Sequence, residues 1–201
     1  NKYQEFVEKF QSQLEKTQKV VRQDDLEIIT DFSNLNSLAQ SENIIYFPEN
    51  NTIYVGDSSQ KSVYSLSLND KSATTITDLN PAIEKLQFPV EINSSIEYFG
   101  DNNIVTLNPL SNTLVIKNIN LITPASNLIA MGSYNSRLYF VNNDGDQIYR
   151  YDLSGDTYAS PQAWLNQNYD LGAAVDIDID GSIYVLTKDR VLIKFSRGNL
   201  D

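Results

Sequence analysis

A chain of 201 residues can bury a full core without a disulfide or metal staple. With no Cys and no His it has no thiol chemistry, lacks the commonest general base and transition-metal ligand, and cannot assemble a Ser-His-Asp triad. Its net charge of −11 disfavours nucleic acid and anionic membrane surfaces as partners.

Residues 1–25 contain five basic and five acidic side chains, so the whole charge deficit lies downstream. No apolar run approaches the roughly 20 residues that cross a bilayer, so this segment is not expected to insert directly. The first residue is Asn rather than Met. The chain is therefore expected to be an excised or processed piece.

From Asn1 to about Arg22 Tyr3, Phe6, Val7, Phe10, Leu14, Thr17 and Val21 recur at a mixed three-and-four spacing, with charged residues on the other faces. This spacing predicts an amphipathic helix ended by Gln23, Asp24 and Asp25. Two readings of it are open: a helix docked on its own domain, or a coiled-coil stalk that supports helix-mediated association.

Beyond it, one hairpin pattern recurs four times: residues 51–55 with 62–68, 103–107 with 112–116, 136–141 with 147–151, and 181–186 with 190–195. Each is preceded by a lead strand, at 43–47, 95–99, 128–131 and 175–179, across turns rich in Asn, Asp and Gly. Several strands per unit at about 40-residue spacing predict an all-β fold, a β-propeller of about four blade units behind an N-terminal helix. The expected division is a helix or stalk at 1–25 and a propeller at 26–201, with blades near 43–79, 95–121, 128–160 and 174–195. Leu26 to Asp31 resembles the outer-strand segment at 73–79. It is expected to close the ring as the outer strand of the last blade, which otherwise ends at Phe195.

The stretch from Ala174 to Val185, with Asp176, Asp178, Asp180 and Gly181 ahead of Ile183-Tyr184-Val185, resembles the repeat of NHL-type bacterial propellers. The likeness is moderate around 52–68 and 137–151, and the second unit departs from it with Ile104-Val105-Thr106. A helical lead-in before blades ending in Lys194-Phe195-Ser196-Arg197-Gly198 is similar to propellers of small-genome bacteria that follow a PPM-type phosphatase-like domain and a membrane helix. That resemblance implies an exported sensor or binding domain, extracytoplasmic and tethered through an upstream segment, and carries over no catalytic residue.

Asp176, Asp178 and Asp180 open like an EF-hand loop, but Thr187 stands where its closing bidentate Glu is needed. Alternation places the three carboxylates on one face of a lead strand, lining the channel. They are the candidate calcium ligands, against a plain solvated strand, and no other cofactor is indicated. A ligand-binding face is expected from Asp57, Asp144 and Asp189 after second strands, with Asn108, Asp146, Tyr169 and Asp170 beside them. Its expected partner is a peptide, other protein segment or glycan.

Three functions fit these residues. The first is a non-catalytic binding or sensing module. The second is a metal-dependent, lactonase-like hydrolase, for which Asp57, Asn108, Asp144 and Asp178 would have to converge. The third is a structural spacer or assembly domain.

Overall fold

The computed structural model describes residues 1–19, 26–78, 80–121, 128–142 and 145–201. The helix α1 (Lys2–Gln18) is capped by Asn1, whose side chain accepts from the Tyr3 N–H, and ends where Lys19 turns left-handed. None of its residues is buried, so the docked reading does not hold. Its expected end at 23–25 lies outside the described residues.

Four antiparallel four-stranded meanders follow. Blade I comprises β1 (Ile45–Phe47), β2 (Thr52–Asp57), β3 (Ser62–Ser67) and β4 (Ala73–Thr77). Blade II comprises β5 (Gln87–Ile92), β6 (Ser95–Phe99), β7 (Asn103–Asn108) and β8 (Thr113–Asn118). Blade III comprises β9 (Leu128–Tyr134), β10 (Arg137–Asn142), β11 (Ile148–Ser154) and β12 (Thr157–Tyr158), with β13 (Gln162–Ala163) also pairing β11. Blade IV comprises β14 (Ala174–Ile179), β15 (Ile183–Thr187), β16 (Leu192–Ser196) and β17 (Asn199–Leu200). The chain is thus an all-β propeller fold of four blades behind an N-terminal helix.

Two elements differ from the sequence reading. Blade II begins one strand earlier than expected, at β5, so residues 95–99 form its second strand. Pro89 hides β5, since proline cannot donate to a ladder; the pairing slips by a bulge between Gln87 and Val90, which accommodates it. Residues 26–31 form no strand, and blade IV supplies its own outer strand, β17, through pairs Phe195–Leu200 and Ser196–Asn199. Glu27 instead reaches Lys71 of blade I, 2.5 Å away.

Each strand alternates its side chains between the two blade faces, and the buried sets form three cores between consecutive blades. Tyr54, Val63 and Ile76 of blade I meet Ile96, Tyr98, Val105 and Leu107 of blade II. Phe99 and Ile104 meet Met131, Leu138, Phe140 and Tyr151. Tyr139, Val141 and Ile148 meet Ile177, Ile183, Val185 and Phe195. Inner turns stitch the same seams: Ser94 donates to Glu49 at 2.6 Å, and Ser136 to Asn93 at 2.7 Å.

Among the described residues no fourth core joins blade IV to blade I. The far face of blade I is covered by its own lead-in. Phe32 stacks on Tyr64 with ring centroids 5.1 Å apart, Asn36 bonds Gln60, and Glu42 N–H donates to the Gly56 carbonyl. The far face of blade IV exposes Val175, Leu186 and Leu192.

Candidate functional site: a central acidic cleft

The first strands of the four blades lie side by side, β5 against β9 and β9 against β14. Together with the residues entering β1 they enclose a cleft of about 550 Å³, lined by Glu42 to Ile44, Gln87 to Val90, Met131 to Ser133 and Asp176 to Asp178. The volume lies within the usual range of small-ligand sites. Blades II, III and IV and the segment leading into blade I all contribute to it, so it exists only because these parts are set around one axis.

Local chemistry fixes each wall. Asn43 donates to the Leu86 carbonyl at 2.5 Å and accepts from the Gly56 N–H at 3.2 Å, tying blade I to the approach of β5. A Cβ on Gly56 would lie 2.8 Å from the Asn43 side chain, so this latch needs glycine. Gly132 plays a similar part between β9 and β14: a Cβ there would press on Ile179 at 3.1 Å. Ser133 donates to the Glu91 carbonyl at 2.8 Å, holding β9 to β5. Phe88 sits at φ 49 beside the bulge, a left-handed conformation rarely adopted by a bulky residue.

Three carboxylates, Glu42, Asp176 and Asp178, face the cleft, and no Lys or Arg lines it. Glu42 accepts from Ser58 at 2.5 Å, and Asp176 from the adjacent Ile177 N–H at 2.9 Å. Ile44, Phe88, Pro89, Val90 and Met131 supply the apolar wall. The arrangement suits a ligand with an apolar body and a neutral or positively charged group.

The candidate calcium set separates. Asp176 and Asp178 line the cleft, but Asp180 belongs to the β14–β15 turn. There it accepts from the Ser182 N–H at 3.1 Å and from the Tyr184 hydroxyl at 3.3 Å. Among the described residues no three acidic side chains gather closely enough to hold a metal ion.

The residues expected on a turn-bearing face are spread over different tasks. Asp57 ends β2 and is fully buried. It accepts from the Gln40 N–H (2.7 Å), the Ser59 hydroxyl (2.7 Å), the Gln60 N–H (3.0 Å) and the Tyr64 hydroxyl (3.2 Å). Burial pushes its pKa up, but these four donors outweigh that and hold the carboxyl below its ordinary value. Asp57 is therefore a fastening inside blade I.

Asn108 lies on the opposite rim, because β7 is the third strand of blade II and not the second. Its side chain caps the turn by accepting from Leu110 and Ser111 N–H groups. The β6–β7 turn contributes Asp101 to the rim where Asn108 was expected, paired with Lys85 at 2.6 Å. Asp57 and Asn108 thus cannot converge on one hydrolytic metal.

Asp146 accepts from Asn168, and Asp170 from the Gly172 N–H at 3.0 Å. Tyr169 turns inward, its ring edge-on to Phe195 with centroids 5.2 Å apart. The whole connection is strapped over the β10–β11 turn by Gln147, which accepts from the Leu165 N–H at 2.6 Å and donates to the Leu165 carbonyl at 3.1 Å. Asp189 is exposed in the β15–β16 turn. Asp144 lies outside the described residues.

Sequence reasoning missed Glu42, Asn43, Gln87 to Val90, Gly132 and Ser133. The one local signal was Pro89 within an otherwise strand-like run, a mark of a bulge or an edge.

No protein-family model matches the chain, nor does any curated protein sequence. Solved structures do match. An auxiliary nutrient binding protein from Bacteroides ovatus superposes with a TM-score of 0.60 at 14% identity, over 81% of this chain and 46% of that one. The extracellular domain assigned to a hybrid two-component system of B. thetaiotaomicron gives a TM-score of 0.55 at 16% identity, over 83% and 22%. Virginiamycin B lyase from Staphylococcus aureus gives 0.53 at 14%, over 79% and 56%. At these identities the likeness is one of fold, that of β-propellers. The chain spans only about a fifth to just over half of the lengths of these three structures.

Proposed function

We propose that this chain is a non-catalytic binding or sensing module that takes a neutral or cationic small ligand, peptide or glycan in the central cleft. The observation that carries the reading is the cleft itself: the inner strands of three blades and the residues entering β1 build it, much of its wall is apolar, and its charged groups are all carboxylates. Propellers that resemble it in fold include an auxiliary nutrient binding protein and the extracellular domain assigned to a hybrid two-component system. They support a binding role and a position outside the cytoplasm. Among the described residues no helix is long and apolar enough to cross a membrane.

The test is calorimetric titration of the folded chain with basic peptides and with neutral oligosaccharides. Asp176→Asn together with Asp178→Asn is expected to weaken a cationic ligand by about tenfold or more, with weaker binding at higher salt. Binding of a basic peptide that ignores both substitutions, or no binding of either class by a chain that unfolds cooperatively, overturns the reading.

A further inference from the structure

The N-terminal helix carries a period that the propeller does not use. Read in sevens, residues 2–8 (KYQEFVE), 9–15 (KFQSQLE) and 16–22 (KTQKVVR) are three copies of one heptad. Lys2, Lys9 and Lys16 occupy one position, Gln4, Gln11 and Gln18 another, and Glu8 and Glu15 a third. Two positions form the apolar seam: Tyr3, Phe10 and Thr17 in one, Val7, Leu14 and Val21 in the other. A straight helix with 3.6 residues per turn drifts by about 20° per heptad, so a helix lying on a globular body gains nothing from a strict seven. Two helices that supercoil do.

The structure leaves that seam uncovered. Tyr3 is 73% exposed, Val7 39%, Phe10 61% and Leu14 44%. An isolated helix of this length is marginal in water.

We propose that α1 of one copy pairs with α1 of a second copy along Tyr3, Val7, Phe10 and Leu14. Two features favour a second copy over a different protein. The positions flanking the seam within α1 are uncharged (Gln4, Gln11 and Gln18 on one side, Phe6 and Gln13 on the other), so nothing at the seam's edge selects a foreign partner or rejects an identical one. Residues 1–25 are also charge-balanced, whereas the rest of the chain holds the entire surplus of −11. Copies can meet through α1 without the repulsion that opposes contact between the acidic bodies.

Sedimentation equilibrium of the whole chain over a dilution series tests this. The expected result is reversible self-association that added salt does not weaken, because neutral residues flank the seam. Val7→Asp with Leu14→Asp abolishes it and leaves the unfolding transition of the blades unchanged. Ser12→Glu, on the outer face, leaves it intact. Thr17→Leu extends the apolar seam and tightens association by about tenfold. A wild-type chain that stays monomeric at every concentration overturns the proposal. Association that survives the paired aspartates overturns it equally, because the contact then lies elsewhere.

Discussion

Asp57 gathers two backbone and two hydroxyl donors around one carboxylate with no cation among them. Those donors bind the ionised form, so the folded pKa lies below the unfolded one. In the window between the two values the unfolded chain holds more protons, and stability falls as pH drops. The contribution is complete above the unfolded value of about 4 and disappears as pH passes down through the folded value. Asp57→Asn keeps the shape but turns part of an acceptor into a donor facing donors. It is expected to cost about 1–3 kcal/mol in urea unfolding at neutral pH, and to flatten the loss between neutral pH and the acid limit. A variant as acid-sensitive as the parent would show that another group sets the limit. The sequence placed this aspartate at a strand end but could not say which way it faced. That depends on the lead-in, whose Gln40 lies seventeen residues away.

At the scale of elements, Glu97 shows how neighbouring blades are tied. It sits fully buried on β6, with Lys117 of β8 at 2.7 Å and the Tyr158 hydroxyl of β12 donating from the next blade. Burial, and then the charge of Glu97, push the Tyr158 phenol well above its ordinary pKa, so it remains a donor at any working pH. Glu97→Ala leaves a partly buried ammonium and a buried hydroxyl without their acceptor, and should cost about 3 kcal/mol by chemical denaturation. Replacing all three together, with Glu97→Leu, Lys117→Met and Tyr158→Phe, should recover most of that loss, since the penalty comes from unmatched partners. A cost under about 1 kcal/mol for Glu97→Ala would mean that water replaces the carboxylate.

The hairpins were legible in the sequence because alternation and turn residues are local signals. β5 was not, because Pro89 contradicts strand propensity and only the neighbouring β6 and β9 make it a strand. The short β17 carries just Asn199 and Leu200, too little for any period to register. The acid pair of the cleft was half legible. Alternation put Asp176 and Asp178 on one face of β14, but the turn took Asp180 away from them. Glu42 and Asn43 join them only through the way separate blades are set, which no local pattern encodes.

For the whole molecule, three apolar cores in series make stability a matter of nearest neighbours, as in other repeat proteins. Blades II and III are each gripped on both sides. Among the described residues, blade I shares a core with blade II and is covered by its own lead-in, whereas blade IV shares a core with blade III only. Hydrogen exchange should therefore release amides of β15 and β16 before those of β6, β7 and β10. Uniform protection through all four blades would mean that they open as one unit. A ligand that touches Asp176 and Gln87 together should slow exchange in blade IV most, because it adds a link across the cleft where that blade has fewest.

The lead-in across blade I has a further consequence. Phe32 and Gln40 occupy the ground on which a preceding blade would sit, whereas Val175, Leu186 and Leu192 leave the corresponding ground on blade IV bare. The array has a finished end and an unfinished one. It therefore has a direction, and a further blade can be added without displacing any of the chain only after β17.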